Sequence, residues 1–493
     1  MKNESKVSKV LSILLSVVLV VSSFYLLYQV IRLNVLPSKF LFPLTIGVVV
    51  LDAIFILLLV YFSKNVVSKI VCIVLTLFIC VASCMGGYYI SKTQNVLSSI
   101  TNVAKHAKNT VSVIVKESSS IKDKSQLNGV SVGSLRLNEQ GSKKALKELS
   151  GDGIVLNQTE YDSMTALLEA FYNGEVDSII INESSRSQIL DMEAYSNFDS
   201  NTRVVYQTSY KVKNNDSATS VSDITSKPFN VLISGSDTRG GFDENGRSDV
   251  IMIATVNPKT HTILLTSVPR DFYVTTACDA GDGCMQGALD KITHTGIHGT
   301  NTTKRTVEQL LGIEINYTFK VGFDTVTELV DVLGGVDVYV EPGYATTTSE
   351  FSVHEGVNHL NAQQALAFAR ERYSYTEGDR QRTKNQQQVL MGIVKEATKP
   401  SVITNYAAIM DTMANTFSTT MSNAEITDLI KYQLNNNPTW KMEQYMVDGT
   451  GDTLMCAELG DAAYVMVPDQ STVKTAKDKI SAVLAGKSSE DVK

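Results

Sequence analysis

Three apolar runs, Val10 to Ile31, Phe40 to Phe62 and Ile70 to Ile90, follow one another almost without a break at the start of the chain. Each is about 20 residues, the length a helix needs to cross a hydrocarbon core. Across all 493 residues 43% are hydrophobic and only 19% charged, and the imbalance is concentrated in these runs. No small-residue cleavage site follows the first run and two more runs do, so it reads as a span rather than a signal peptide. Lys2, Lys6 and Lys9 precede the first span, and Lys64 and Lys69 separate the second from the third. Arg32 and Lys39 lie in the other loop, which leaves a modest bias toward a cytoplasmic N-terminus. A multi-pass protein of the cell membrane is expected, with everything after Ile90 outside. Asp52 sits inside the second span, where a charge costs roughly 2.5–3.5 kcal/mol on insertion scales, so it is expected protonated or in contact with a partner span.

The net charge is −7. A nucleic-acid binder advertises a basic domain or stripe; none is present, and the topology turns the bulk of the chain away from the chromosome. No direct nucleic-acid partner is expected. Cys72, Cys80 and Cys84 fall in the third run and read as small apolar groups. Cys278 and Cys284 bracket the loop CDAGDGC, where an oxidising exterior permits a disulfide without requiring one. No histidine stands nearby at ligand spacing, which argues against zinc.

Residues 1–90 are therefore a three-helix anchor, and 91–119 reads as a polar connecting helix. An accessory unit follows over 120–212, where SMTALLEAFYNGEVDSIIINE gives an amphipathic helix, a turn and a buried strand, hence α/β. The polar stretch 213–227 has linker composition and ends at Pro228. From 228 to 400 apolar strands (Phe229–Ser234, Val250–Val256, Thr262–Val268, Tyr317–Val321, Val336–Val340) are interleaved with helices, again α/β. Residues 401–493 read as a mainly helical completion with a short strand at Tyr464–Val467.

Charged groups in 228–400 cluster at strand ends, where α/β folds place ligands. SGSDTRGG carries Asp237 and Arg239, GRSD carries Arg247 and Asp249, and VPRD carries Arg270 and Asp271. The glycine pair at 240–241 is followed by Phe242, so no Walker cradle is present. Asp379, Arg382 and Gln386 share one helical face with Val389, Leu390 and Ile393. Opposite charges heading a core-facing stripe suggest either a buried polar cluster or a structural cap with an ion pair. Arg370 and Arg372 diverge on a helix but point to one side of an extended segment, so the preceding helix is expected to end near Ala369. His294 and His298 lack the glutamate of a metalloprotease helix and read as structural. Many arginines beside aspartates suit a pyrophosphate ester: guanidinium forks match phosphate oxygens, and Mg²⁺ takes one or two carboxylates plus phosphate oxygens.

The ordered motifs SGSDTRG, GRSDVIMIATVNP, TSVPRD, DKITHTGIHG, VDVLGGVDVYV, LNAQQALAFARERY and GDRQRTKNQQQ resemble those of the LytR-CpsA-Psr family across about 228–400. The three spans and intervening unit resemble its capsule-type members. The resemblance implies a central mixed sheet flanked by helices, and a phosphotransferase moving a glycopolymer from a polyprenyl-pyrophosphate carrier to peptidoglycan. Asp237 and Asp249 would be the Mg²⁺-associated carboxylates, with Mn²⁺ the alternative ion. Arg247, Arg270, Arg370, Arg372 and Arg382 would hold the pyrophosphate, with Gln386 assisting and Lys291 and Arg239 as further candidates. Asp379 would orient the arginines or accept a proton. Asn385 departs from the family's DxxRxxRQQ helix, replacing its second arginine. An apolar slot between the helices at 325–333 and 386–398, opening toward the membrane, is expected for the prenyl chain. Implied partners are the lipid-linked polysaccharide, the peptidoglycan acceptor, the membrane and other capsule-assembly proteins. A non-catalytic lipid-pyrophosphate binding module remains the alternative.

Overall fold

A computed structural model describes residues 6–62, 65–101, 106–136, 139–236, 244–278, 284–399, 408–409, 412 and 417–492, without the side chains of 6–8, 139, 323 and 324. The chain divides into two compact units, the first drawn from Met1–Thr101, Glu396–Ala414 and Ser422–Thr439, the second from Asn102–Lys395, Asn415–Met421 and Trp440–Lys493.

In the first unit the apolar runs form the helices Lys6–Leu33, Ser38–Leu57 (continued by a π-turn over Leu58–Phe62) and Val66–Thr101. All three are long and apolar enough to cross a membrane. Asp52 is buried and accepts a 2.9 Å hydrogen bond from Ser23 Oγ on the preceding helix, so a polar group placed in an apolar span has found a partner span. The helix Asn423–Asn436 also belongs to this unit. Ser422 and Glu425 cap its start, and Lys431 Nζ donates to Asn34 Oδ1 at 2.8 Å.

Among the described residues the second unit holds two large sheets and four two-stranded ones. In the first, the strand order is Asn157–Tyr161, Ser131–Leu135, Ser178–Asn182, His106–Lys116 and Thr202–Lys213. The connecting helix expected over 91–119 is corrected here. The third apolar helix stops at Thr101, and His106–Lys116 is a strand beside the sheet's centre. The β-branched run TVSVIV decides the matter: Val111 and Val113 enter one core, Ile114 the opposite one, as the two-residue period of a strand requires. The accessory fold therefore begins near 106 rather than 120.

The second sheet is mixed and six-stranded, in the order Phe417–Thr419, Tyr317–Gly322, Phe229–Ser236, Ser248–Asn257, Thr262–Val268, Lys441–Met446. Phe229–Ser236 pairs antiparallel with Ser248–Asn257, which pairs antiparallel with Thr262–Val268; the Tyr317–Gly322 and Lys441–Met446 strands add parallel. One face packs Leu232, Ile251, Ile253 and Leu264 against the helices Thr300–Leu311 and Gln470–Leu484 through Val307, Leu311, Val473 and Ile480. The expected short strand at Tyr464–Val467 is present within Asp461–Pro468, but the mainly helical reading of the C-terminal part is corrected. Lys441–Met446, Gly449–Cys456 and Asp461–Pro468 are strands, the first completing the central sheet. The other two form a hairpin whose Cys456, Leu459 and Val465 share a core with Leu167, Phe171 and Ile189 of the accessory fold. Met164 N donates to Leu459 O at 2.9 Å across the same seam.

Candidate functional site

Antiparallel pairing brings three sequence segments to one end of the central sheet: the end of Phe229–Ser236, the start of Ser248–Asn257 and the end of Thr262–Val268. Arg247, Asp249 and Arg270 are thereby neighbours. Asp249 Oδ1 accepts from Arg270 Nη1 at 3.1 Å and from Thr293 Oγ1 at 3.1 Å, while its Oδ2 lies 3.6 Å from Arg247 Nη2. Burial opposes its charge, but the Arg247, Arg270 and Arg382 guanidiniums outweigh that and hold the carboxyl below the usual carboxylate range. Arg270 is likewise opposed by burial, and Asp249, Asp271 and Asp379 raise its pKa regardless. Asp271 lies 3.7 Å from Arg270 Nε and 3.1 Å from Lys291 Nζ, and so joins Lys291 to the group.

The backbone carrying Arg247 and Asp249 is held by small residues. A Cβ on Gly296 would stand 2.5 Å from both Gly246 O and Ser248 Oγ, so only glycine lets the THTGIHG segment lie this close. Hydroxyls link the layers below: Ser248 Oγ is 2.9 Å from Ser234 Oγ and 3.1 Å from Thr303 Oγ1.

The helix Asp379–Ala397 supplies the remaining charges. Arg382 Nη2 lies 2.5 Å from Asp379 Oδ1, an ion contact without hydrogen-bond geometry, since that buried oxygen has no hydrogen-bond partner. Arg382 is held below the ordinary guanidinium value, first by burial and then by the Arg270 cation, with Asp379 and Asp249 offsetting part of this. The Nε atoms of Arg247, Arg270 and Arg382 are all buried without a hydrogen-bond partner. Three such donors around an ionised carboxylate form a site with capacity for a further anion.

The Ala362–Arg370 helix ends one residue beyond the expected Ala369, and Glu371 is extended. Arg370 closes that helix with an exposed side chain. Arg372 donates to Tyr373 Oη at 2.7 Å and is near enough to depress Arg382 further. Asn385 is buried, donates to Phe368 O at 3.0 Å and accepts from Gln381 at 2.9 Å, tying the two helices together. Asp237 and Arg239 lie outside the described residues. Sequence reasoning did not assign Asp271 or Thr293, although both stand in motifs it singled out. It had no signal for Asp191, which the Arg186–Asp191 helix of the accessory fold places 2.5 Å from Arg247 Nη1.

Beside the charges lies an apolar cavity with about 600 Å³ of empty space. Ile233, Val250 and Met252 line it from the sheet, alternating with Leu232, Ile251 and Ile253 on the core face. Val326, Leu366, Val389, Leu390 and Ile393 line it from three helices, and Ser236 and Gln386 are its polar members. The lining includes the two helices expected to flank a slot, through Val326 from 325–333 and Gln386, Val389, Leu390 and Ile393 from 386–398. His294 pairs with Asp290 at 2.7 Å and His298 with Glu458 at 2.8 Å, apart from this cavity. Cys278 and Cys284 are joined as a disulfide with Cα atoms 5.7 Å apart.

The model of the family described as "LytR_cpsA_psr family" matches residues 194–482. The polyisoprenyl-teichoic acid–peptidoglycan teichoic acid transferase TagU of Bacillus cereus (strain AH820) is 31% identical over 241 residues, 48% of this chain and 76% of its own. Its counterpart in Bacillus subtilis (strain 168) is 35% identical over 196 residues, 40% of this chain and 60% of its own. The crystal structure of B. subtilis TagU aligns with a TM-score of 0.41 at 28% identity, over 52% of this chain and 97% of that one.

Proposed function

Since the chain belongs to the LytR_cpsA_psr family, we propose that it is a membrane-anchored phosphotransferase moving a glycopolymer, of capsular type, from a polyprenyl-pyrophosphate carrier to peptidoglycan. The observation that carries this reading is the set of three buried, unpartnered arginine Nε donors beside an apolar cavity. That pairing fits a ligand with a doubly phosphorylated head and a hydrocarbon tail. The transferase names of the relatives support the same reaction class.

On this reading the side chains divide the work. Arg247, Arg270 and Arg382, with Arg370 and Arg372 on the neighbouring segment, hold the pyrophosphate and take up the charge of the departing prenyl phosphate. Lys291 supports them through Asp271. Asp379, whose Oδ1 lies 2.5 Å from Arg382 Nη2, orients that arginine or accepts the proton of an acceptor hydroxyl. Gln386 marks the boundary between head and tail. Asp249 is an ionised, buried carboxylate, a donor of the kind Mg²⁺ uses together with phosphate oxygens. It would hold the ion with Asp237, and Mg²⁺ would spread the negative charge of the phosphates.

The test combines the full-length protein with a polyprenyl-pyrophosphate-linked oligosaccharide and peptidoglycan fragments, with and without Mg²⁺. A phosphodiester-linked product that vanishes in Arg270→Ala and Asp249→Ala is expected. Tight lipid binding without product, across varied acceptors, would replace the transferase by a binding module.

A further inference from the structure

The accessory fold reaches the arginine cluster at one place. Arg247 is 7% exposed, and its Nη1 donates to Asp191 Oδ2 at 2.5 Å, from a carboxylate that is itself half-exposed. Nη2 faces Asp249 at 3.6 Å, beyond hydrogen-bond distance, and Nε has no partner. Asp191 thus takes one nitrogen and leaves the adjacent Nε–Nη2 edge, the fork that grips an oxyanion bidentately.

The contact is anchored from both sides. Two residues before Asp191, Ile189 is fully buried in the core that the accessory fold shares with the Gly449–Cys456 hairpin. Three residues before Arg247, Glu244 is buried, lies 3.2 Å from Lys108 Nζ and accepts from Thr110 Oγ1, both on the accessory strand His106–Lys116. The segment from Glu244 to Asp249 is therefore clamped by accessory residues at two points.

We infer that Asp191 is a positioning residue of the phosphate site, so that the accessory fold completes that site instead of acting as a spacer. This rests on the pyrophosphate reading of the arginines. A long guanidinium side chain gives up considerable rotamer freedom when fixed. Asp191 and the wall around Arg247 fix it before the ligand arrives, leaving Nε and the Nη2 that faces Asp249 for the phosphate.

The experiment uses the full chain in detergent, with inorganic pyrophosphate and farnesyl pyrophosphate as calorimetric probes. Asp191→Ala is expected to weaken both by about tenfold, the lower end of what a hydrogen bond to a charged group supplies. Asp191→Asn keeps an oxygen acceptor for Nη1 and is expected to bind close to wild type. In turnover, Asp191→Ala raises KM by more than it lowers kcat. Should Asp191→Ala fail to fold, Asp191→Ser, too short to reach Nη1, takes its place. Unchanged or tighter binding in the short variants would overturn the inference, as would equal weakening in the Asn and Ala variants. Arg270→Ala separates the two ideas: if it too binds like wild type, the pyrophosphate reading fails; if it alone loses binding, only the role of Asp191 does.

Discussion

Arg270 Nη1 lies 3.1 Å from Asp249 Oδ1, and both side chains are largely buried, at 15% and 9% exposure. Removing the arginine takes from a buried carboxylate its nearest cation, leaving it Thr293 and the more distant Arg247. Arg270→Ala is expected to cost about 3–5 kcal/mol of stability, the range for breaking a buried pair by removing one partner. Denaturant unfolding of the wild type and variant measures this directly, and a loss below about 1 kcal/mol would mean the pair behaves like an exposed one.

The same pair gives a pH signature. Asp249 has a folded pKa below its unfolded value of about 3.9, because the arginines outweigh burial. Its contribution to stability is therefore complete above that value and lost as pH falls through the folded pKa. The stability gap between wild type and Asp249→Asn should be level from about pH 7 to pH 5 and shrink below about pH 4. A gap that widens on acidification would contradict the assignment.

Gly296 allows the backbone near Arg247 and Asp249 to be approached within 2.5 Å of where a Cβ would stand. Gly296→Ala should displace that segment at a cost of about 1–3 kcal/mol, the range for overpacking. It should also lower affinity for inorganic pyrophosphate, although it removes no charged group. Intact affinity in a folded Gly296→Ala protein would show that the segment can yield.

Leu390 lines the apolar cavity and takes no part in the charge cluster. Leu390→Trp should fill the space, leaving inorganic pyrophosphate binding near wild type while weakening a long prenyl pyrophosphate by about tenfold, or 1.4 kcal/mol. Comparing the two ligands on one variant provides the check, and equal losses for both would remove the cavity from the tail's path.

Because the accessory fold and the Gly449–Cys456 hairpin share one hydrophobic core, they are expected to unfold together. Calorimetry should give one transition for this part of the protein, with equal calorimetric and van't Hoff enthalpies. A resolved earlier transition that Phe171→Ala shifts alone would separate them.

Much of this was legible along the chain. The strands Phe229–Ser236, Ser248–Asn257 and Thr262–Val268 are apolar runs between turn residues, buried on both faces. The shared helical face of Asp379, Arg382 and Gln386 follows from spacing, and those residues lie at the charge cluster and the cavity. Other parts depend on contacts that local sequence does not encode. His106–Lys116 follows an apolar helix after only a few residues, so the change from helix to strand carries little punctuation. The Gly449–Cys456 strand is mostly exposed along its length and lacks an apolar run. Asp191 belongs to a six-residue helix with no motif, and its relation to Arg247 exists only once two sheets share a core. Asn385, read as the loss of a family arginine, ties one helix to another.

The cavity has a consequence for lipid traffic. Its apolar lining is a handful of side chains, Ile233, Val250, Met252, Val326, Leu366, Val389, Leu390 and Ile393 among them, far fewer than a complete polyprenyl chain would touch. Only the isoprene units next to the pyrophosphate can be housed there, and the rest of the tail stays in the bilayer. On the transferase reading, the carrier would be worked on in place, and the spent prenyl phosphate would return to the membrane pool simply by letting go of its head.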